Sequence, residues 1–351
     1  MSFKSFVYKI LFIVGVIIFS AGSFIYLMDP MWTFSSKHRF NDVQTVINER
    51  QQKTNRIHFQ PFEFDTLLLG SSRSTYINQH DFQGMDVYNY AVSNMSVREY
   101  NSFIEFAKKE RGQDFTNIII GLDFFKSSTT ESNVALSLDQ YTKKLEEPFY
   151  RYKNLLSLDL LEYSWQNFKV SKDNKILEER NYNRSNVAVA KEIDPELKEQ
   201  QTVAKIQKFR DVFYGETYEY NPEYKKYLLE LKENNPNTNF IIFTTPISNR
   251  LFEALVDEGR YTDYERWLQD ITSVFGGVHN FMYPNSITNE IENYFDGHHF
   301  YPHVGTAIAR KISNPGDPEL PPDFGKYVDS ASLAEHLAWI KEHNQQLFVR
   351  N

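Results

Sequence analysis

The chain of 351 residues contains no cysteine, which excludes a disulfide scaffold, a thiolate metal site and a cysteine nucleophile. It also lacks any stretch dense in Lys and Arg, and with 38 basic against 46 acidic residues its formal net charge is -8. Neutralising phosphates requires a basic surface, so a nucleic-acid partner is set aside. No internal repeat is present. Length and a hydrophobic content of 41% allow a substantial core, in one large domain or two smaller ones.

One segment lacks charge altogether. Residues 10–28 form an apolar run that as a helix reaches roughly 28 Å at about 1.5 Å per residue, close to the hydrocarbon thickness of a bilayer. Its apolar residues surround the helix instead of striping it, which argues against a buried core helix. A cleaved signal peptide shares these features, but no small-x-small site follows the run, so an uncleaved anchor is expected. Lys4 and Lys9 precede the span and Asp29 follows it. That asymmetry places residues 1–9 in the cytoplasm and the rest outside it, at the plasma membrane, with Lys37, His38 and Arg39 weakening the contrast slightly.

Residues 29–63 are polar and aromatic, expected as a stalk or wrapping segment. Apolar runs at 64–69, 117–121 and 240–244, each closed by a Gly, Ser or Thr/Pro signal, read as buried parallel strands, with shorter ones at 86–90 and 278–282. Helical patterns at 97–109, 223–233 and 261–275 alternate with them, which predicts an α/β fold with a mostly parallel sheet and right-handed crossovers. Residues 127–232 break the rhythm with charged, Tyr/Leu-rich helical stretches at 136–149 and 155–170 and a polar stretch at 181–186, and are expected as a helical insertion. Residues 313–351 are expected as a Pro-rich linker followed by a helix at 332–347 striped by Leu333, Leu337 and Ile340.

Two short motifs carry the chemistry. Gly70-Ser71-Ser72-Arg73 closes the first strand, where an open parallel sheet can present a serine, and Asp296-Gly297-His298-His299 lies far downstream. A serine hydroxyl needs a base, a histidine near its ordinary pKa supplies one, and the histidine needs an orienting acceptor. Asp296 and His299 are spaced to meet on one helical turn or tight loop. Ser72, His299 and Asp296 are therefore the candidate nucleophile, base and orienter.

These residues, in this order and with strands between them, resemble the SGNH/GDSL hydrolase superfamily. The resemblance is closest to its membrane-anchored branch, similar to proteins of alginate O-acetylation and teichoic acid D-alanylation. It covers about residues 64–126 and 236–312, and implies a three-layer, flavodoxin-like α/β domain over 64–312. It further implies O-acyl transfer, most simply acetylation, to a cell-surface or exported polysaccharide, with a multi-pass membrane protein as acyl donor and no cofactor. The segment 89–94 resembles the family's second block, with Asn94 where a Gly supplies a backbone oxyanion donor; Asn tolerates the left-handed conformation that position needs. The segment 120–123 resembles the third block, with Asp123 where an Asn side chain donates.

An ionised Asp donates nothing and repels a developing oxyanion, so Asp123 must be protonated, turned away or used elsewhere, as a turn residue or a support for the first loop. Gly70 and Asn94 complete the expected support of the site. Arg73 could bind an anionic or carbonyl group of a substrate, or pair with an acid on the fold. His298, His299 and His303 could ligate a metal, but Tyr301-Pro302 interrupts the helical register and no metal is expected. Two other outcomes share the pattern: an esterase that removes acyl groups, and an inactive polysaccharide-assembly or carbohydrate-binding protein. Aromatics at 16% of the chain support a sugar ligand only faintly, since most belong in a core.

Overall fold

Five of the strands are where their apolar runs place them. In the computed structural model, which describes residues 3–134, 136–176 and 180–348, these are β1 (Thr66–Gly70), β2 (Val87–Asn89), β3 (Asn117–Leu122), β4 (Asn239–Thr244) and β5 (Gly277–Asn280). A sixth, β6 (Lys326–Asp329), joins them in a sheet of order β2-β1-β3-β4-β5-β6. The first five are parallel and β6 runs antiparallel along β5. Leu67, Leu68, Leu69, Ile118, Ile119 and Ile120 are all fully buried, so both faces of β1 and β3 are covered, as continuous aliphatic runs require.

This sheet belongs to one of two compact units, Glu63–Ser137 together with Glu192–Asn351. Between β2 and β3 the helix Tyr100–Arg111 buries Tyr100, Phe103, Ile104 and Ala107. It is entered through a capping box of Ser96 and Glu99 and ends at Gly112, whose φ of 78° suits glycine. Tyr224–Glu233 and Tyr261–Phe275 follow the expected pattern closely.

Between the expected Pro-rich segment and the expected helix, the tail adds a strand to this sheet that was not foreseen. Only Val328 of β6 is buried within the pairing, so the strand carries no readable alternation. The helix Leu333–His343 then buries Leu333, Leu337 and Ile340.

The second unit comprises Met1–Phe62 and Leu138–Lys191. It contains α1 (Phe3–Met28), α2 (Glu49–Phe59) and α3 (Leu158–Asp173), with a two-stranded hairpin of Asn181–Tyr182 and Ala188–Val189. The helix α1 is long and apolar enough to cross a membrane. The segment expected as a stalk or wrapping segment has a defined fold whose interior is polar: α2 buries Gln51, Gln52, Lys53, Thr54 and Asn55. Gln52 Nε2 donates to Pro30 O at 2.9 Å and Asn55 Nδ2 to Met31 O at 2.8 Å. Amide side chains thus satisfy the backbone of the loop that follows α1, and no apolar stripe advertises the helix. The residues expected as one insertion are shared: 138–191 fold with α1, and 127–137 and 192–232 with the sheet.

Three histidines of the sheet unit make its stability pH-dependent. Burial first, and a neighbouring lysine second, pushes His279 and His336 down to about 4. Burial and then Arg73 holds His298 well below the usual range. A depressed histidine contributes stability that is fully present above the unfolded pKa of about 6.5 and is lost as pH falls toward the folded value. Thermal melting between pH 7 and pH 4.5 is expected to show a steady loss over that interval, of order 1–2 kcal/mol each for His279 and His336 by pH 5. A flat profile there would contradict the assignment.

Candidate active site

β1 ends in a glycine because nothing larger fits. Gly70 has φ of 151°, and a Cβ there would lie 2.1 Å from Ser74 Oγ and 3.0 Å from the Gly121 carbonyl oxygen. The chain then turns through Ser71 and Ser72 into a single helical turn, Ser74–Tyr76. Ser72 is therefore held at the carboxyl end of β1. Because β2 lies on one side of β1 and β3 on the other, this is the point where strand order reverses, the usual crevice for ligands in an open α/β sheet.

The loop after β5 reaches the same point. Tyr294 and Phe300 pair across it, Phe295 N donates to His299 O at 2.8 Å, and Gly297 takes φ of 74° to close the turn. Within it Asp296 Oδ1 accepts the backbone N–H of His298 at 3.0 Å and of His299 at 2.7 Å. His299 Nδ1 lies 3.0 Å from Asp296 Oδ2, and His299 Nε2 lies 3.0 Å from Ser72 Oγ. An ionised carboxylate only accepts, so Nδ1 carries the proton and the Nε2 lone pair faces the serine hydroxyl, which donates to it. The three residues expected as nucleophile, base and orienter are brought together in the order a serine triad needs, across 227 residues of chain.

Burial by itself would raise the Asp296 carboxyl, but the imidazoles of His299 and His298 and the ammonium of Lys205 outweigh it and hold the group far below the usual carboxylate range. Lys205 Nζ sits 2.8 Å from Asp296 Oδ2, the same oxygen that meets His299. It comes from the helix Pro195–Lys208. Nothing in the sequence marked it, since it is one of several lysines on a charged helix. A cation there keeps Asp296 ionised and shares the carboxylate with the imidazole.

Asp123 takes the third of its open roles. It is buried at the end of β3 and accepts from Arg73 Nη2 at 2.6 Å and from Thr245 Oγ1 at 2.6 Å. Arg73 Nη1 donates to Thr245 O at 3.3 Å. Arg73 is 1% exposed, so its guanidinium braces the serine turn against the ends of β3 and β4. Of the two roles expected of Arg73, the structure shows the pairing with an acid on the fold. Thr245, just after β4, is a partner that sequence reasoning missed. Its only signal was the Thr/Pro close of that strand.

Asn94 adopts φ of 58°, the left-handed conformation expected of it. The loop leading to it starts beside β1, where Val92 N donates to Gly70 O at 3.1 Å. Its side-chain Oδ1 accepts from the buried Lys126 Nζ, which also pairs with Glu131 at 2.6 Å. His298 packs its ring between Phe125 and Phe209, with centroids at 5.6 and 4.7 Å. His303 Nε2 meets Asn293 Oδ1 at 2.8 Å, away from the two ring nitrogens of His299, which are committed to Ser72 and Asp296. Comparison with known proteins adds no identity to this geometry: no protein-family model matches the chain, and no curated protein matches it.

Proposed function

We propose that this chain is a serine acyltransferase of the SGNH/GDSL type, anchored in the membrane by α1, that transfers an acyl group, most simply acetyl, to a hydroxyl of a cell-surface or exported polysaccharide. The observation that carries the reading is the unbroken contact from Ser72 Oγ through His299 to Asp296, with 3.0 Å at each side-chain step. It stands at the reversal point of a sheet whose parallel strands run 2-1-3-4-5, the flavodoxin-like order. The three-layer arrangement of that superfamily is part of the same proposal.

In this mechanism His299 takes the Ser72 proton as Oγ attacks the acyl carbonyl, and Asp296 stabilises the imidazolium. The proton returns to the leaving group, leaving an acyl-Ser72 ester. His299 then deprotonates the acceptor hydroxyl, which attacks the ester and regenerates Ser72. Asp123 donates nothing to the oxyanion because Arg73 and Thr245 occupy its accepting oxygen. The negative charge falls instead to backbone N–H groups, that of Asn94 among them. The donor is a multi-pass membrane protein, the catalytic unit lies outside the cytoplasm, and residues 1–9 lie inside.

The test is to treat the full-length protein in detergent with an activated acetyl ester and follow the acyl group. Acetyl trapped on the peptide containing Ser72, and passed to an added oligosaccharide faster than to water, is expected. Rapid release to water with no benefit from the acceptor would assign an esterase. Absence of any adduct under conditions that label other serine acyl enzymes would favour a non-catalytic role.

A further inference from the structure

We propose that the segment 149–165 of the α1 unit is a second membrane contact, dipping into the interfacial layer of the bilayer beside the span. This rests on α1 crossing the membrane.

Residues 6–20 of α1 are exposed without exception, whereas Gly22, Ile25 and Met28 are buried. The charge-free run begins at Ile10, so a hydrocarbon layer of ~30 Å, about 20 residues of helix at about 1.5 Å each, extends past Gly22. Protein first packs on the helix at Gly22, so whatever packs there lies at or below the boundary between lipid and water. What packs there is the turn Asn154–Leu156: a Cβ on Gly22 would lie 3.3 Å from the Leu155 carbonyl oxygen. Two residues on, the Phe24 ring lies 6.3 Å from Trp165 and 6.0 Å from Phe168 of α3. Segment 149–165 is thus at the level of the interface by direct contact with the span.

Its exposed side chains suit that place. Phe149, Tyr152, Leu156, Leu158 and Trp165 are between 52% and 81% exposed, a run of large apolar groups that water alone does not favour. Phe149 even adopts φ of 62°, a conformation uncommon for a bulky residue. The inward face of α3 is Leu160, Ser164, Asn167 and Val170, so the larger apolar groups Leu158 and Trp165 are the ones left outside. Trp and Tyr beside the exposed Lys153 are the residue types of a membrane-water boundary. Continuity with α1 selects lipid as the occupant over a second copy of the chain.

Because the chain has no cysteine, single nitroxide labels can be placed cleanly at Leu156→Cys and Leu158→Cys in the full-length protein reconstituted in phosphatidylcholine and phosphatidylglycerol nanodiscs. Ile17→Cys serves as the lipid reference and Lys226→Cys as the water reference. Collision with oxygen relative to a water-soluble nickel chelate is expected to be several-fold higher at 156 and 158 than at 226, approaching the value at 17. Lys226-like nickel access would overturn the proposal, and so would low collision with both reagents, the mark of a surface covered by protein. Water-like values at 17 would remove the span itself and the proposal with it. Trp165 provides a label-free check: brominated lipid should quench emission that Trp165→Phe removes, and quenching by aqueous iodide alone would count against lipid contact.

Discussion

Ser72→Ala is expected to abolish acyl transfer, reducing turnover by on the order of 10⁶, and His299→Ala to do the same, because nucleophile and base act as a unit. Asp296→Asn should leave the loop closed while reversing the hydrogen-bond preference at His299 Nδ1. The amide can donate where the carboxylate only accepted, so the imidazole presents the wrong tautomer to Ser72, and a loss of about 10⁴ is expected. The measurement is the ester content of the surface polysaccharide in cells carrying each variant at equal protein level, together with turnover of the activated ester in vitro. Unchanged polymer acylation with Ser72→Ala would end the catalytic reading. The double variant Ser72→Ala/His299→Ala should be no worse than either single one, because neither residue contributes its main effect without the other.

The second large effect is on stability. Asp123→Ala leaves the buried Arg73 guanidinium without its carboxylate, and Arg cannot shed its charge to escape. A loss of about 3–5 kcal/mol is expected. Arg73→Met should be milder, since the stranded carboxyl can take up a proton and keep its hydrogen bond from Thr245 Oγ1. Asp123→Asn separates two roles for this position. An oxyanion donor would raise activity, whereas loss of the brace found in the structure should lower both melting temperature and turnover. Denaturant unfolding and ester turnover on the same samples decide between them. A melting temperature unmoved by Asp123→Ala would show that the pair contributes nothing.

The parts of the fold legible in the sequence are those whose signal is apolar and local. Ile118, Ile119 and Ile120 announce a covered parallel strand, and Tyr100, Phe103 and Ile104 a helix face. α2 was illegible because its interior is made of Gln and Asn, which look like surface until the backbone groups they satisfy are in place. β6 was illegible because one buried valine is no pattern. The shared use of 127–232 by two units was invisible for a related reason: charged helices with partial stripes do not say what they pack on.

The same division runs through the site. Composition and spacing by themselves determined that no thiol chemistry is available, that one helix is apolar enough to span a bilayer, and that Ser72, Asp296 and His299 are the residues suited to a triad. Only the tertiary structure decided that Arg73 pairs with Asp123, that Lys205 shares Asp296 with His299, and that the turn Asn154–Leu156 packs on α1. Those choices depend on which side chains converge after chain segments fifty or more residues apart are packed together. Electrostatic and packing energies act at a few ångströms, a distance that order along the chain does not encode.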